Sequence, residues 1–339
     1  MPKIEKSTSE DMMQNDLYPS LLSANIIELH YWFDDDTHSI DAVVQNKCES
    51  ELLALFKEIA SPLNAAISIE TFPIAKGGVR RSFKMIPKKD TARGHVRTAF
   101  LSALASDILI SPLSAPLTPV INQVKDKFFD IAVLEVIKSK KLRNEIEKLQ
   151  YDIQKCTDHL NRSTVVKKRK SNFYDLLDRY QKVNRISFSV ENSEREKLIN
   201  DTFVERQSFN SFVLTTDNLD PVQDDNAEIE IISPVLKQGN YRWVGLYKGS
   251  AVSFNMKSEE FKGMVQNGQV QFRNGTSIRC TLQIRKKIDS EGLEKVTGYD
   301  VLDVHEYFES GKPVVTLKVR KPKVQKETAI EQLSLFELF

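Results

Sequence analysis

The densest group of acid side chains near a histidine is Phe33-Asp34-Asp35-Asp36-Thr37-His38, with Asp41 close behind. Oxygen ligands on a short loop suit Mg²⁺ or Mn²⁺, and such an ion supports phosphodiester hydrolysis. Asp34, Asp36 and His38 are therefore the candidate metal ligands, and a metal-dependent nuclease is one expectation. The competing reading is a solvated loop in which Ser39 or Thr37 caps the next helix and the acids favour its positive end. That reading is preferred, because no second carboxylate group at a matching spacing completes a site. A cationic cluster follows at Val165 to Lys170 (VVKKRK), with Arg162 before it and Phe173 and Tyr174 after it. Lys167, Lys168, Arg169 and Lys170 are candidate phosphate contacts, and DNA binding through them would weaken with salt. A solvated helix end has the same look. A third set interleaves cations with aromatics: Arg242, Trp243, Tyr247, Lys248, Phe254, Arg273 and Arg279. Small barrels bind nucleic acid through such faces, with Arg242 and Lys248 as the candidate contacts here. Trp243 and Phe254 are more often core residues, and alternation alone does not assign their face. The five histidines are scattered, and no nucleophile elbow, zinc motif, phosphate loop or dinucleotide fingerprint occurs. No catalytic residue is expected, and no cofactor beyond that divalent ion.

The chain ends Gln332-Leu333-Ser334-Leu335-Phe336-Glu337-Leu338-Phe339, behind a charged segment, KPKVQKETAIE, over 321–331. A short peptide gains affinity by placing a few large apolar groups in a preformed pocket while a polar group fixes its register. Leu335 and Phe336 are the natural anchors, Leu333 supports them, and Gln332 can both donate and accept hydrogen bonds. The first five residues, QLSLF, resemble the bacterial sliding-clamp-binding pentapeptide at every position. A second register approximates the PCNA-type box of archaea and eukaryotes, departing from it at Leu338, where an aromatic is usual. The resemblance implies a clamp as partner and Gln332, Leu333, Ser334, Leu335 and Phe336 as its contacts. It covers eight residues of 339 and implies nothing about the fold. The alternative is a last helical turn, with Ile330, Leu333, Phe336 and Leu338 packed on the protein's own barrel.

Composition is that of a globular protein, 40% hydrophobic and 28% charged, and long enough for two or three domains. With 48 Lys and Arg against 47 Asp and Glu, no global charge demands nucleic acid, so DNA contact needs a local patch. Cys48, Cys156 and Cys280 are far apart and odd in number, which argues against a disulfide framework and suits a reducing cytoplasm. The polar N-terminus reads as disordered over 1–24 rather than as a signal peptide.

The elements predict an α+β, multidomain chain. An N-terminal α/β unit spans 25–86: a strand over 25–33, a helix from about Ile40 to Ala60, and a strand over 65–72. If those two strands are parallel, their crossover is right-handed. Residues 87–125 are basic, then apolar and interrupted by Pro112, Pro116 and Pro119. The run Thr98 to Val124 is long enough for a membrane span, but Asp107 and the prolines favour a buried hairpin. Residues 126–216 read as a helical segment. Its Leu142, Ile146, Leu149, Ile153, Cys156 and Leu160 form a short heptad seam for a homodimeric coiled coil, or for an intramolecular hairpin with a second stretch over 173–183. Short strands over 226–320 indicate an antiparallel β-barrel or sandwich, and 321–339 are the tether and tail. The functional expectation is a non-catalytic, DNA-associated or regulatory protein recruited to a clamp, in a setting of phage defence or mobile elements. A membrane-associated sensor with a ligand-binding barrel is the other rival to the nuclease.

Overall fold

The computed structural model describes residues 23–34, 39–72, 79–129, 140–237, 239–309 and 312–316. The fold is α+β, in two compact units: Met1–Asp217 with Ile288–Glu294, and Asn218–Lys287 with Lys295–Phe339. The segments read separately as 25–86, 87–125 and 126–216 all fall in the first unit.

In the first unit β1 (Ile26–Phe33) is the central strand of an antiparallel sheet ordered β2–β3–β1–β4–β5. Its Ile27, Leu29 and Tyr31 point to the helical side and are buried. After β1 comes α1 (Ala42–Ala60), capped by Asp41, whose Oδ1 accepts from the Val43 and Val44 N–H groups. The cap is thus Asp41 rather than Ser39 or Thr37. Next come β2 (Ile67–Thr71) and β3 (Val79–Pro87). β1 and β2 run the same way but do not touch, because β3 lies between them and is antiparallel to both. The sequence hid β3 as a basic stretch. Val79, Phe83 and Met85 are buried on its helical side, and the inward slot between Val79 and Phe83 holds Arg81, paired with Glu49 at 2.6 Å.

The crossover from β3 to β4 (Val183–Glu191) carries α2 (Ala92–Ile110), α3 (Leu117–Phe128), α4 (Lys140–Arg162) and α5 (Thr164–Arg179). The order β2–β3–β1–β4 with helical crossovers after β1 and β3 is the ferredoxin-like, split βαβ arrangement. β5 (Lys197–Glu205) is added outside β4. Neither β4 nor β5 was expected in a segment read as helical. The long apolar run divides into α2 and α3 at Ser111–Pro116, with Pro119 in the first turn of α3, where its missing N–H costs nothing. Phe100, Leu101, Leu104, Ala105 and Ile108 are all buried, so α2 is apolar because protein surrounds it. No helix among the described residues is long and apolar enough to cross a membrane. The α4 seam from Ile146 to Leu160 is buried in the same core, against α2 and α3. The second amphipathic stretch, α5, packs on α1.

Arg206 finishes α5. It opens a 3₁₀ helix (Arg206–Phe212), and its Nη1 donates to the carbonyls of Leu177, Tyr180 and Val183 at 3.2, 3.0 and 2.9 Å. Its Nη2 donates to the Asp178 carbonyl. Arg206 thus ties the last turn of α5 to the start of β4, sharing the Leu177 and Tyr180 carbonyls with the Tyr180 and Val183 N–H groups. The loop 288–294 belongs to this unit as well. Thr164 Oγ1 donates to the Gly292 carbonyl at 2.7 Å, and Asn172 Nδ2 to that of Ser290 at 3.0 Å. Gly292 has φ +87°, and a Cβ there would lie 2.4 Å from the Val165 Cα, so only glycine fits.

The second unit is a closed five-stranded barrel. It contains β6 (Asn218–Ser233), β7 (Trp243–Tyr247), β8 (Ser250–Met256), β9 (Ser277–Ile288) and β10 (Glu294–Glu309). The ring runs β6–β7–β8–β10–β9 and back to β6, with β8 parallel to β10. A short helix, α6 (Glu259–Gln266), joins β8 to β9 and puts Phe261 and Val265 in the core with Trp243, Phe254 and Ile278. This strand order, with the helix between the third and fourth strands, is the OB-fold arrangement. β11 (Lys312–Thr316) pairs with the end of β10. Residues 269–274 (QVQFRN), which alternate as one of the short strands expected over 226–320 would, are instead loop: the Gln269 N–H caps α6 at the Met264 carbonyl, and the Arg273 N–H bonds Thr276 Oγ1. Lys248 and Gly249 form the β7–β8 turn with φ of 50° and 78°, the positive values of a two-residue type I′ hairpin.

Candidate functional site

The acidic loop is only partly in view. Asp34 accepts from Asn184 Nδ2 at 2.6 Å and Asp41 is taken up as a cap, while Asp35, Asp36, Thr37 and His38 lie outside the described residues. Among the described residues no three His, Cys, Asp or Glu side chains are grouped to hold a metal ion. All three cysteines are buried and free. Burial pushes the Cys48, Cys156 and Cys280 thiols up to about 12, 11 and 12, which keeps them protonated and inert as nucleophiles.

The cationic run lies on α5, and its side chains are largely committed within the first unit. Lys168 pairs with Asp217 at 2.6 Å and Arg169 with Glu51 at 3.2 Å. Lys170 is buried, its Nζ donating to the Ser111 carbonyl, and Lys167 is half-buried. The sequence held a sign of this. Val166, Phe173, Tyr174 and Leu177 stand four before and three, four and seven after Lys170, so Lys170 sits on the apolar stripe of its helix.

The sheet face away from the helices carries a second polar surface, which sequence reasoning missed because it is assembled from distant strands. The Arg185 guanidinium lies 4.6 Å from the Trp32 ring centre and 4.8 Å from that of Phe203. The His30 ring lies 4.0 Å from that of Trp32, tilted by 38°, and the Trp32 Nε1 donates to Ser187 Oγ at 3.2 Å. Burial, with help from the Arg80 charge, pulls His30 down to about 4. Burial and the neighbouring Glu191 raise Glu28, which faces Arg80 at 3.4 Å and Arg195 at 4.0 Å. Arg195 also pairs with Glu191 at 2.9 Å. Ion pairing across this face leaves it largely self-satisfied.

In the barrel, Trp243 and Phe254 are core residues. Arg279 pairs with Glu306 at 2.8 Å, and Lys248 is held by Asp224 at 3.3 Å beside the Tyr247 ring. The Tyr247 hydroxyl donates to Asp224 at 2.7 Å, and that bond lowers the Asp224 pKa. The loop joining β6 to β7 differs from the rest. Leu236 and Tyr241 are 66% and 58% exposed on it, Lys237 and Arg242 are exposed too, and Arg242 has no partner among the described residues. The Tyr241 ring lies over Gly239, where a Cβ would meet it at 2.7 Å. In OB-fold barrels the loop between the first two strands is one of the ligand-contacting loops. An aromatic ring to stack on, beside a guanidinium, is the pairing by which single strands are held. The tail, Gln332 to Phe336, lies outside the described residues. No protein-family model matches the chain, and no curated protein matches it.

Proposed function

We propose that this protein is a non-catalytic, DNA-associated factor brought to a bacterial sliding clamp by its C-terminal peptide, with the barrel as the unit that meets single-stranded DNA. The observation that carries the reading is the five-residue match QLSLF at 332–336, at the end of a charged segment that can present it without unfolding a domain. An address of this kind works by raising the local concentration of the attached body near DNA on which the clamp sits. Support for the barrel's part comes from its OB-fold topology and from the exposed Tyr241 and Arg242 on the β6–β7 loop. The fold supplies an analogy and the loop supplies the chemistry. The α5 cations are less suited to that task, since Lys168 and Arg169 already hold acids and Lys170 is buried.

The deciding experiment is a pull-down of purified clamp with the full-length chain and with Leu335→Ala/Phe336→Ala. Binding by the first and its loss in the second, with an unchanged circular dichroism spectrum, is the expected result. Equal retention of the clamp by both would sink the reading.

A further inference from the structure

Lys170 is an amine where an apolar group belongs. It is 2% exposed, its Nζ donates to the Ser111 carbonyl, and the Phe212 ring centre is 5.4 Å away. Among the described residues it has no carboxylate partner, and burial pulls its pKa down to about 7. An ammonium has three N–H donors, and one carbonyl accepts one of them. A buried cation without a counter-ion is costly, and pairing is one of its two remedies, deprotonation being the other.

Beside Lys170 lies a cavity of about 330 Å³, at the lower end of the range for small-molecule sites. Ile108, Leu113, Pro116 and Val166 give it apolar walls, and the half-buried Lys167 lines it with Lys170. Ser114, Thr118 and Asn161 add neutral polar groups, and among the described residues no Asp or Glu lines it. Two amines, no acid and apolar walls match a molecule with one anionic head and a small apolar body. We propose that this cavity binds a small organic carboxylate whose carboxyl group takes the unused donors of Lys170, with Lys167 as the second cation. Inorganic phosphate fits less well, because it brings no apolar body to cover the walls.

Calorimetry on the full-length protein tests this with benzoate and hexanoate, their neutral amides, and inorganic phosphate. At least one of the two acids should bind, with its amide at least tenfold weaker. Lys170→Met, which keeps the chain length and removes the charge, should weaken that acid at least tenfold, and Lys167→Met severalfold. Affinity should fall roughly tenfold from pH 6 to pH 8 as Lys170 loses its proton, the ligand being ionised throughout. Among the described residues Lys167 is the one other titratable group lining the cavity; α2, the 111–116 loop, α3 and α4 bring none to it. The proposal is overturned if the amides bind as well as the acids, if Lys170→Met leaves the affinity unchanged, or if phosphate binds more tightly than either acid. Absence of binding by both acids at about 10 mM, a concentration that reveals even millimolar affinity, overturns it too. Lys170→Met should remain folded, since it places an apolar chain among apolar neighbours, and its circular dichroism spectrum verifies that arm.

Discussion

Lys170 and Arg242 are cations of the same charge beside aromatic residues, and the two units use them in opposite ways. On α5 the amine faces inward among Val166, Phe173, Tyr174 and Leu177, and its charge is suppressed by burial. On the β6–β7 loop the guanidinium is exposed next to Tyr241. A run of four cations thus offers less to a polyanion than one arginine on a loop. Density of charge in a sequence is a weaker guide to nucleic acid than the face each charge occupies.

Arg206 gives the sharpest test of the interior class. Arg206→Ala removes the hydrogen bonds to the carbonyls of Leu177, Asp178, Tyr180 and Val183 and should cost about 3 kcal/mol in urea unfolding. A loss under about 1 kcal/mol would put Arg206 with the surface cations and blur the contrast. Lys170 comes next, through pH. Its proton is held more tightly in the unfolded chain, so between about pH 7 and pH 10.5 the unfolded state binds more protons and stability rises with pH. The buried thiols act in the other direction above about pH 9. The informative quantity is therefore the wild type minus Lys170→Met. It should change by about 2 kcal/mol in favour of the wild type between pH 7 and pH 8.5. Parallel curves for the two proteins would mean that Lys170 is not held in a desolvated site. The smallest stability effect belongs to Arg242→Ala, within about 0.5 kcal/mol of wild type. That variant should weaken a fluorescent oligothymidylate severalfold and leave duplex DNA binding unaltered. An equal loss for both DNAs would reduce Arg242 to a general phosphate contact.

Much of the architecture was legible where a single period ruled. β1, α1 and most of the barrel strands follow alternation or helical spacing closely enough to be placed from the sequence, but the expected start at 226 cuts β6, whose polar first half over 218–226 has the composition of a turn. β4 and β5 were missed because Val183–Glu191 and Lys197–Glu205 follow α5 so directly that the helical pattern seemed to continue. β3 was missed because Arg80, Arg81 and Lys84 drew attention to charge rather than to the Val79, Phe83 and Met85 between them. The α4 seam read as half of a homodimeric coiled coil or of a hairpin with 173–183, but a stripe does not say what covers it, and α2 and α3 of the same chain do, while α5 covers α1. Of the candidate sites, the exposed Arg242 was visible as a cation beside aromatics. The Lys170 cavity was not, since its walls come from residues some sixty positions apart, Ile108 and Lys170 among them.

The loop 288–294 also has a meaning in time. α5 ends at Arg179, yet Gly292 and Ser290, which bond Thr164 and Asn172, are translated after nearly all of the barrel. At a typical elongation rate, the stretch from Asp217 to Glu294 takes roughly 4–15 s to emerge. During that interval the first unit stands on the ribosome one piece short, and the barrel's strands appear before its neighbour is complete. Synthesis order therefore leaves the last contacts of the first unit to be made only after four of the barrel's five strands have been translated, although each unit has a core of its own.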